Sequence, residues 1–326
     1  MNVALITPAA AHSHLGNRIT ALRCARILRG LGHRVEVAQE YSGRRCEVLV
    51  ALHARKSFRS IERFRRQHPE RPLVLMLTGT DLYGDIQTDA QAQQSLEMAS
   101  RLVVLQPQAL VELREHLRPK TRIIYQSAQR PLVFPPPKKN IFEVCVMGHL
   151  RPVKDPFRTA EAVRLLPASS RIQVVHIGAA LSHEMEESAR AQALANPRYH
   201  WLGELPHGKA LRIMARSRLM VLSSQLEGGA NVLSEAIAAA VPVLASRISG
   251  SIGILGRDYP GYFPVGDSQA LAAMLHRAET HATFLETLGS RCRQLQPLFE
   301  PARERQHWQD LLEELCAANS VPGRTP

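Results

Sequence analysis

The chain has 326 residues, 45% hydrophobic and 21% charged, with a formal net charge of +12. That length predicts two domains, each with its own core, and the composition excludes a disordered or fibrous chain. Met1 leads straight into the apolar VALIT, no apolar run approaches the roughly 18 residues of a membrane span, and the five scattered cysteines lack zinc spacing, so a cytoplasmic protein with reduced thiols and no stable membrane insertion is expected.

The first half alternates short apolar runs with helical segments. VALIT is followed by the loop PAAAHSHLGNRIT, which carries His12, His14, Gly16, Asn17 and Arg18, and by a helix over NRITALRCARILRGLG. Then come the strands RVEVAQ and CEVLVAL, a basic helix within SFRSIERFRRQ, and the strand PLVLMLT, which runs into LTGTDLYGD. A helix ahead of Ser100, the strand RLVVLQ, another helix and the strand TRIIYQS complete it. Near-continuous apolar strands separated by helices predict a parallel sheet covered on both faces. Positive charge concentrates here, with 20 Lys and Arg against 11 Asp and Glu up to Pro137, leaving 21 against 18 for the remainder. Such a field favours an anionic partner. Aromatics are only 5% of the chain, which argues against a nucleic-acid surface built on base stacking.

RPLVFPPPKK cannot continue a strand or a helix and predicts a linker over 135–139, between an N-terminal domain (1–134) and a C-terminal domain (140–300). The βα alternation then restarts with FEVCVMG, the loop GHLRPVKDP, a helix from Pro156, RIQVVHIG ending at Gly178, a helix to about Ala195, RYHWLG and a helix from His207. RLMVLSS, a glycine loop, a helix from about Asn231 and VPVLAS follow, and 301–326 opens with a helical segment. Two such domains are expected to bind ligands at the carboxyl ends of their strands.

SSQLEGGANVLSEAIAAAVPVLAS gathers the most chemistry. Glu227 lies in the loop, Gly228 and Gly229 follow, and Glu235 lies on the helix. Amides at a helix start lack helical partners and sit at the positive end of the dipole, so an anion is the natural occupant. Carboxylates repel phosphate, which assigns Glu227 and Glu235 to hydroxyl-rich parts of the ligand; the competing reading is an ordinary crossover with a solvated Glu235.

This string resembles the nucleotide-sugar site of retaining glycosyltransferases of the GT-B fold, family four. The resemblance implies an α/β fold of two Rossmann-like domains facing across a cleft, with the C-terminal helix crossing back to the N-terminal domain. It implies that Glu227 contacts the donor sugar, Glu235 the ribose, and the amides of Gly228, Gly229, Asn231, Val232 and Leu233 the diphosphate, with Gly16 and Gly178 also on the donor. GHLRPVKDP resembles the family's G-R-L-x-x-x-K: Lys154 matches the lysine that neutralises the leaving diphosphate, His149 stands in the arginine's place, and Arg151 is the substitute. LTGTDLYGD lies where many relatives carry His-Gly-Thr, with Thr78 replacing the histidine. Asn17, Arg18, Thr80 and Asp81 are then the acceptor-side candidates, and no metal or other cofactor is expected.

Gly16-Asn17-Arg18, ALHARKS, LTGTDLY, LVVLQP and IIYQSA together resemble the selenosugar synthases of selenoneine biosynthesis, which join selenophosphate to a UDP-activated hexose or N-acetylhexosamine. Three alternatives stay open: transfer to a lipid or sugar hydroxyl, a sugar-nucleotide epimerase, and a non-catalytic nucleotide-binding module.

Overall fold

The computed structural model describes residues 1–11, 16–131 and 135–319. His12 and His14 lie outside the described residues. The chain divides into two compact units, one of Met1–Gln126 together with the chain from Pro301 onward, the other Ser127–Glu300. The passage between them thus comes ahead of the proline-rich 135–139.

The first unit holds β1 (Asn2–Ile6), β2 (Arg34–Ala38), β3 (Val48–Leu52), β4 (Leu73–Met76), β5 (Arg101–Val104) and β6 (Thr121–Ile123) in one parallel sheet of order β2-β1-β3-β4-β5-β6. Side chains alternate along each strand, so β3 sends Val48, Val50 and Leu52 to one cluster and Leu49 and Ala51 to the other. Helices Phe58–Gln67 and Ala90–Met98 cover the second cluster through Ile61, Phe64, Ala92 and Leu96. Helix Gly16–Gly30 covers the first, and helix Pro301–Asn319 adds Trp308, Leu311, Leu312 and Leu315 to the same face. That i, i+3, i+4, i+7 stripe explains why a segment so distant in sequence belongs to this unit.

The second unit holds β7 (Phe142–Met147), β8 (Ile172–Ile177), β9 (Tyr199–Trp201), β10 (Leu219–Leu222), β11 (Val243–Ser246) and β12 (Tyr262–Phe263), parallel in the order β12-β11-β10-β7-β8-β9. Both sheets therefore carry the α/β pattern expected from the apolar runs. Between β5 and β6 the expected helix is replaced by two 3-10 stretches, Pro107–Glu112 and Glu115–Lys120. Pro107 starts one, and Pro119 lies inside the other, where it removes a donor that a longer α-helix needs. Among the described residues no helix is long and apolar enough to cross a membrane.

Candidate active site

In the second sheet the strand order reverses between β7 and β10, where open α/β sheets bind ligands beyond the strand ends. The loops leaving these two strands are tied together. The Gln225 amide donates to the Val153 carbonyl at 2.9 Å, and Ser223 Oγ donates to the Asp155 carbonyl at 2.9 Å. Asp155 sits at φ 45°, and Arg158 clamps its carboxylate at 2.8 Å while donating to Ser268 Oγ at 2.7 Å. The turn so fixed delivers Lys154 to Glu227, and the two form an ion pair. Glu227 is 8% exposed and also accepts from Ser224 Oγ at 2.7 Å. Gly250 packs against the same loop: a Cβ there would lie 2.0 Å from the Glu227 carbonyl oxygen.

The next helix runs Asn231–Ala238, and Ala230 at its N-cap supplies no side-chain hydrogen bond. Ser, Thr, Asp or Asn would ordinarily satisfy an amide there, so the uncapped start retains the donor character an anion needs. Leu233 departs from expectation. Its amide donates to the Ala230 carbonyl at 3.0 Å and the residue is fully buried, which leaves the amides before it as the candidates. Gly228, Gly229, Asn231 and Val232 form the loop and helix start leading to Leu233, and Glu235 lies on the same helix with its side chain 13% exposed, paired with His207 at 2.8 Å.

The loop after β7 is held from β8. His176 is 1% exposed, its Nε2 lies 3.2 Å from the Gly148 carbonyl and its Nδ1 2.7 Å from Tyr199 Oη. Burial pushes this imidazole down to about 4, so it is neutral at pH 7. A carbonyl accepts only, which places the proton on Nε2 and makes Tyr199 the donor to Nδ1. Gly178 allows the loops to touch, since a Cβ there would lie 1.9 Å from the Gly148 oxygen. The Ala179 amide donates to His149 Nδ1 at 3.1 Å, whereas Arg151 is exposed on the turn ahead of Lys154. Sequence reasoning missed Ser223, Ser224, His176, Tyr199, His207 and Gly250, because their partners are strands or loops away and no local spacing marks them.

In the first unit Asp81 is fully buried. Its carboxylate accepts from the amides of Thr78 and Gly79 at 2.9 Å and of Ala54 at 3.0 Å. Its oxygens hold the loop together, in place of the acceptor contact expected from the sequence. Thr80 is exposed at the start of a π-helix, Asp81–Asp85. Gly16 opens its helix, so Asn17 and Arg18 lie in the first turn. Thr7 Oγ1 donates to the Asn17 carbonyl at 3.4 Å, and among the described residues Arg18 Nε has no hydrogen-bond partner.

The glycosyl transferases group 1 family model matches residues 132–294, half of the chain. No curated protein sequence matches. Among solved structures, sucrose-phosphate synthase from Thermosynechococcus elongatus aligns with a TM-score of 0.77 at 17% identity, covering 97% of this chain and 99% of its own. Anabaena HepE in complex with UDP and glucose gives 0.74 at 16%, covering 96% and 100%. A glycosyltransferase from Rickettsia africae gives 0.73 at 12%, covering 97% and 98%. At such identities the likeness establishes the fold, GT-B.

Proposed function

We propose, for a chain that belongs to the glycosyl transferases group 1, transfer of a hexose or N-acetylhexosamine from a UDP-sugar to a small anionic acceptor, selenophosphate. The observation that carries this reading is the Lys154–Glu227 ion pair beside an uncapped helix start at the switch point of the second sheet. HepE and its complex with UDP and glucose support a uridine nucleotide as the donor's carrier.

The pair is exchangeable. An arriving diphosphate draws Lys154 toward its oxygens and leaves the Glu227 carboxylate to accept from sugar hydroxyls, while Glu235 accepts from the ribose and releases His207. As the anomeric C–O bond breaks, negative charge grows on UDP, and Lys154, Arg151 and the helix-start amides stabilise it. With cationic side chains and amides serving the diphosphate, the proposed mechanism needs no metal. Selenium forms the new bond to the anomeric carbon, UDP departs, and water then takes the phosphoryl group as phosphate, leaving a 1-selenosugar. A selenium anion is nucleophilic without deprotonation, which accords with Thr78 in place of a histidine. The excess of Lys and Arg before Pro137 supports an anion on that side.

The test is incubation with UDP-glucose and UDP-N-acetylglucosamine, each with selenophosphate or with lipid and sugar alcohols, followed by mass spectrometry. Selenosugar and UDP in equal amounts is the expected result. Efficient transfer to an alcohol with no selenosugar overturns the acceptor and leaves the glycosyltransferase; no transfer from any UDP-sugar overturns the function.

A further inference from the structure

The first sheet also has a switch point, between β1 and β3, with β4 next in order. Its β3 end runs into the ALHARKS segment, where His53 was given no role by the sequence. His53 follows β3 at φ 72°, a left-handed conformation uncommon outside glycine, and its side chain is 1% exposed. The conformation is held from several directions: the His53 amide donates to the Met76 carbonyl at 3.0 Å, the Ala54 amide to Asp81 Oδ2 at 3.0 Å, and the Ser57 amide to the His53 carbonyl at 3.1 Å. Strained backbone so fixed is a feature of functional sites, as is a π-helix, and Asp81–Asp85 is one.

The hydrogen bonds define the tautomer. The Lys56 amide donates to His53 Nδ1 at 3.4 Å, so Nδ1 carries the lone pair and Nε2 the proton. Nε2 lies 3.2 Å from Thr80 Oγ1 and 3.8 Å from Asp85 Oδ2, whose carboxylate is taken up by Arg55 at 3.0 Å. Burial lowers the His53 pKa, keeping the ring neutral at pH 7. Thr80 Oγ1 therefore receives a hydrogen bond from inside the protein, and among the described residues its own hydrogen has no acceptor, which leaves it for a ligand. Thr80 is exposed, as are Arg55 and Lys56 on the adjoining loop.

We propose that Thr80 is an acceptor-binding residue that donates to an oxyanion oxygen of a phosphate-class acceptor, and that buried His53 is the positioning residue that fixes its hydroxyl as a donor. This rests on the first unit being the acceptor side. A hydroxyl so polarised suits an oxygen that only accepts, and the neighbouring cations suit its charge.

Inorganic phosphate is the probe, titrated calorimetrically into the full chain saturated with UDP so that the diphosphate site is filled, with UDP affinity and unfolding midpoint measured in parallel. Thr80→Val is expected to weaken phosphate binding roughly tenfold to a hundredfold, with UDP affinity unchanged and the midpoint lowered because the buried His53 Nε2–H loses its acceptor. Thr80→Ser is expected to retain binding, and His53→Gln, which keeps an N–H near Nε2, to bind better than His53→Ala. A wild type that binds UDP but no phosphate overturns both this assignment and the anionic acceptor. Phosphate binding left intact in Thr80→Val overturns the assignment alone.

Discussion

Glu227 and Asp81 are both buried carboxylates just past the ends of parallel strands, and they are satisfied in opposite ways. Asp81 accepts from the backbone amides of Thr78 and Gly79 in its own loop and of Ala54 after β3, with Thr78 Oγ1 as a further donor. Glu227 takes its bonds from Lys154 and Ser224, side chains that can turn to another partner. The difference separates a carboxylate committed to structure from one available to a ligand.

Lys154→Ala breaks the exchangeable pair most directly. Removing one electrostatic donor should lower kcat by about a hundredfold to a thousandfold, measured as UDP release from a UDP-sugar, while the far-UV spectrum stays native. A variant that unfolds would move Lys154 into the structural class of Asp81.

His176 shows that the second unit also has a fixed polar anchor. Its pKa is lowered to about 4 from 6.5 by burial, so the unfolded chain binds more protons between these values. Stability is therefore complete above about pH 6.5 and declines as pH falls toward 4, by roughly 3 kcal/mol in total from this group. Urea midpoints at pH 7, 6 and 5 measure the slope, and His176→Gln should flatten it. An unchanged slope in that variant would show that other groups set the acid limit.

Glu235→Ala should weaken UDP by one to two decades, since hydrogen bonds to a charged group contribute roughly 1.5–3 kcal/mol. Equal UDP affinity in a folded variant would leave Glu235 as no more than the partner of His207. The smallest effect separates Arg151 from His149. Arg151→Ala should cost about tenfold in kcat because its guanidinium is exposed beside Lys154, and His149→Ala should cost less, its Nδ1 already being committed to the Ala179 amide. The reverse ranking in steady-state assays would make His149 the charge-stabilising group.

Much of this was legible in the chain. Apolar runs of four to six residues mark the strands, because a parallel sheet covered on both faces admits no polar alternation, and β3, β4 and β10 are buried throughout. The glycine loop with Glu227 and Glu235 was readable because its residues are neighbours on one loop and one helix. The 3-10 segments around Pro107 and Pro119 were misread as helix since their apolar residues share a helical period. Which polar residues touch was decided only in three dimensions. Lys154 reaches Glu227 and His53 reaches Thr80 because separate strands end at the same edge of a sheet. Asp81 and Leu233 were assigned to ligands on local pattern, and the fold gave their hydrogen bonds to the backbone instead. Periodicity records which side of an element is buried, whereas a hydrogen-bond partner depends on strand order, and strand order is set by how the helices and sheet pack together.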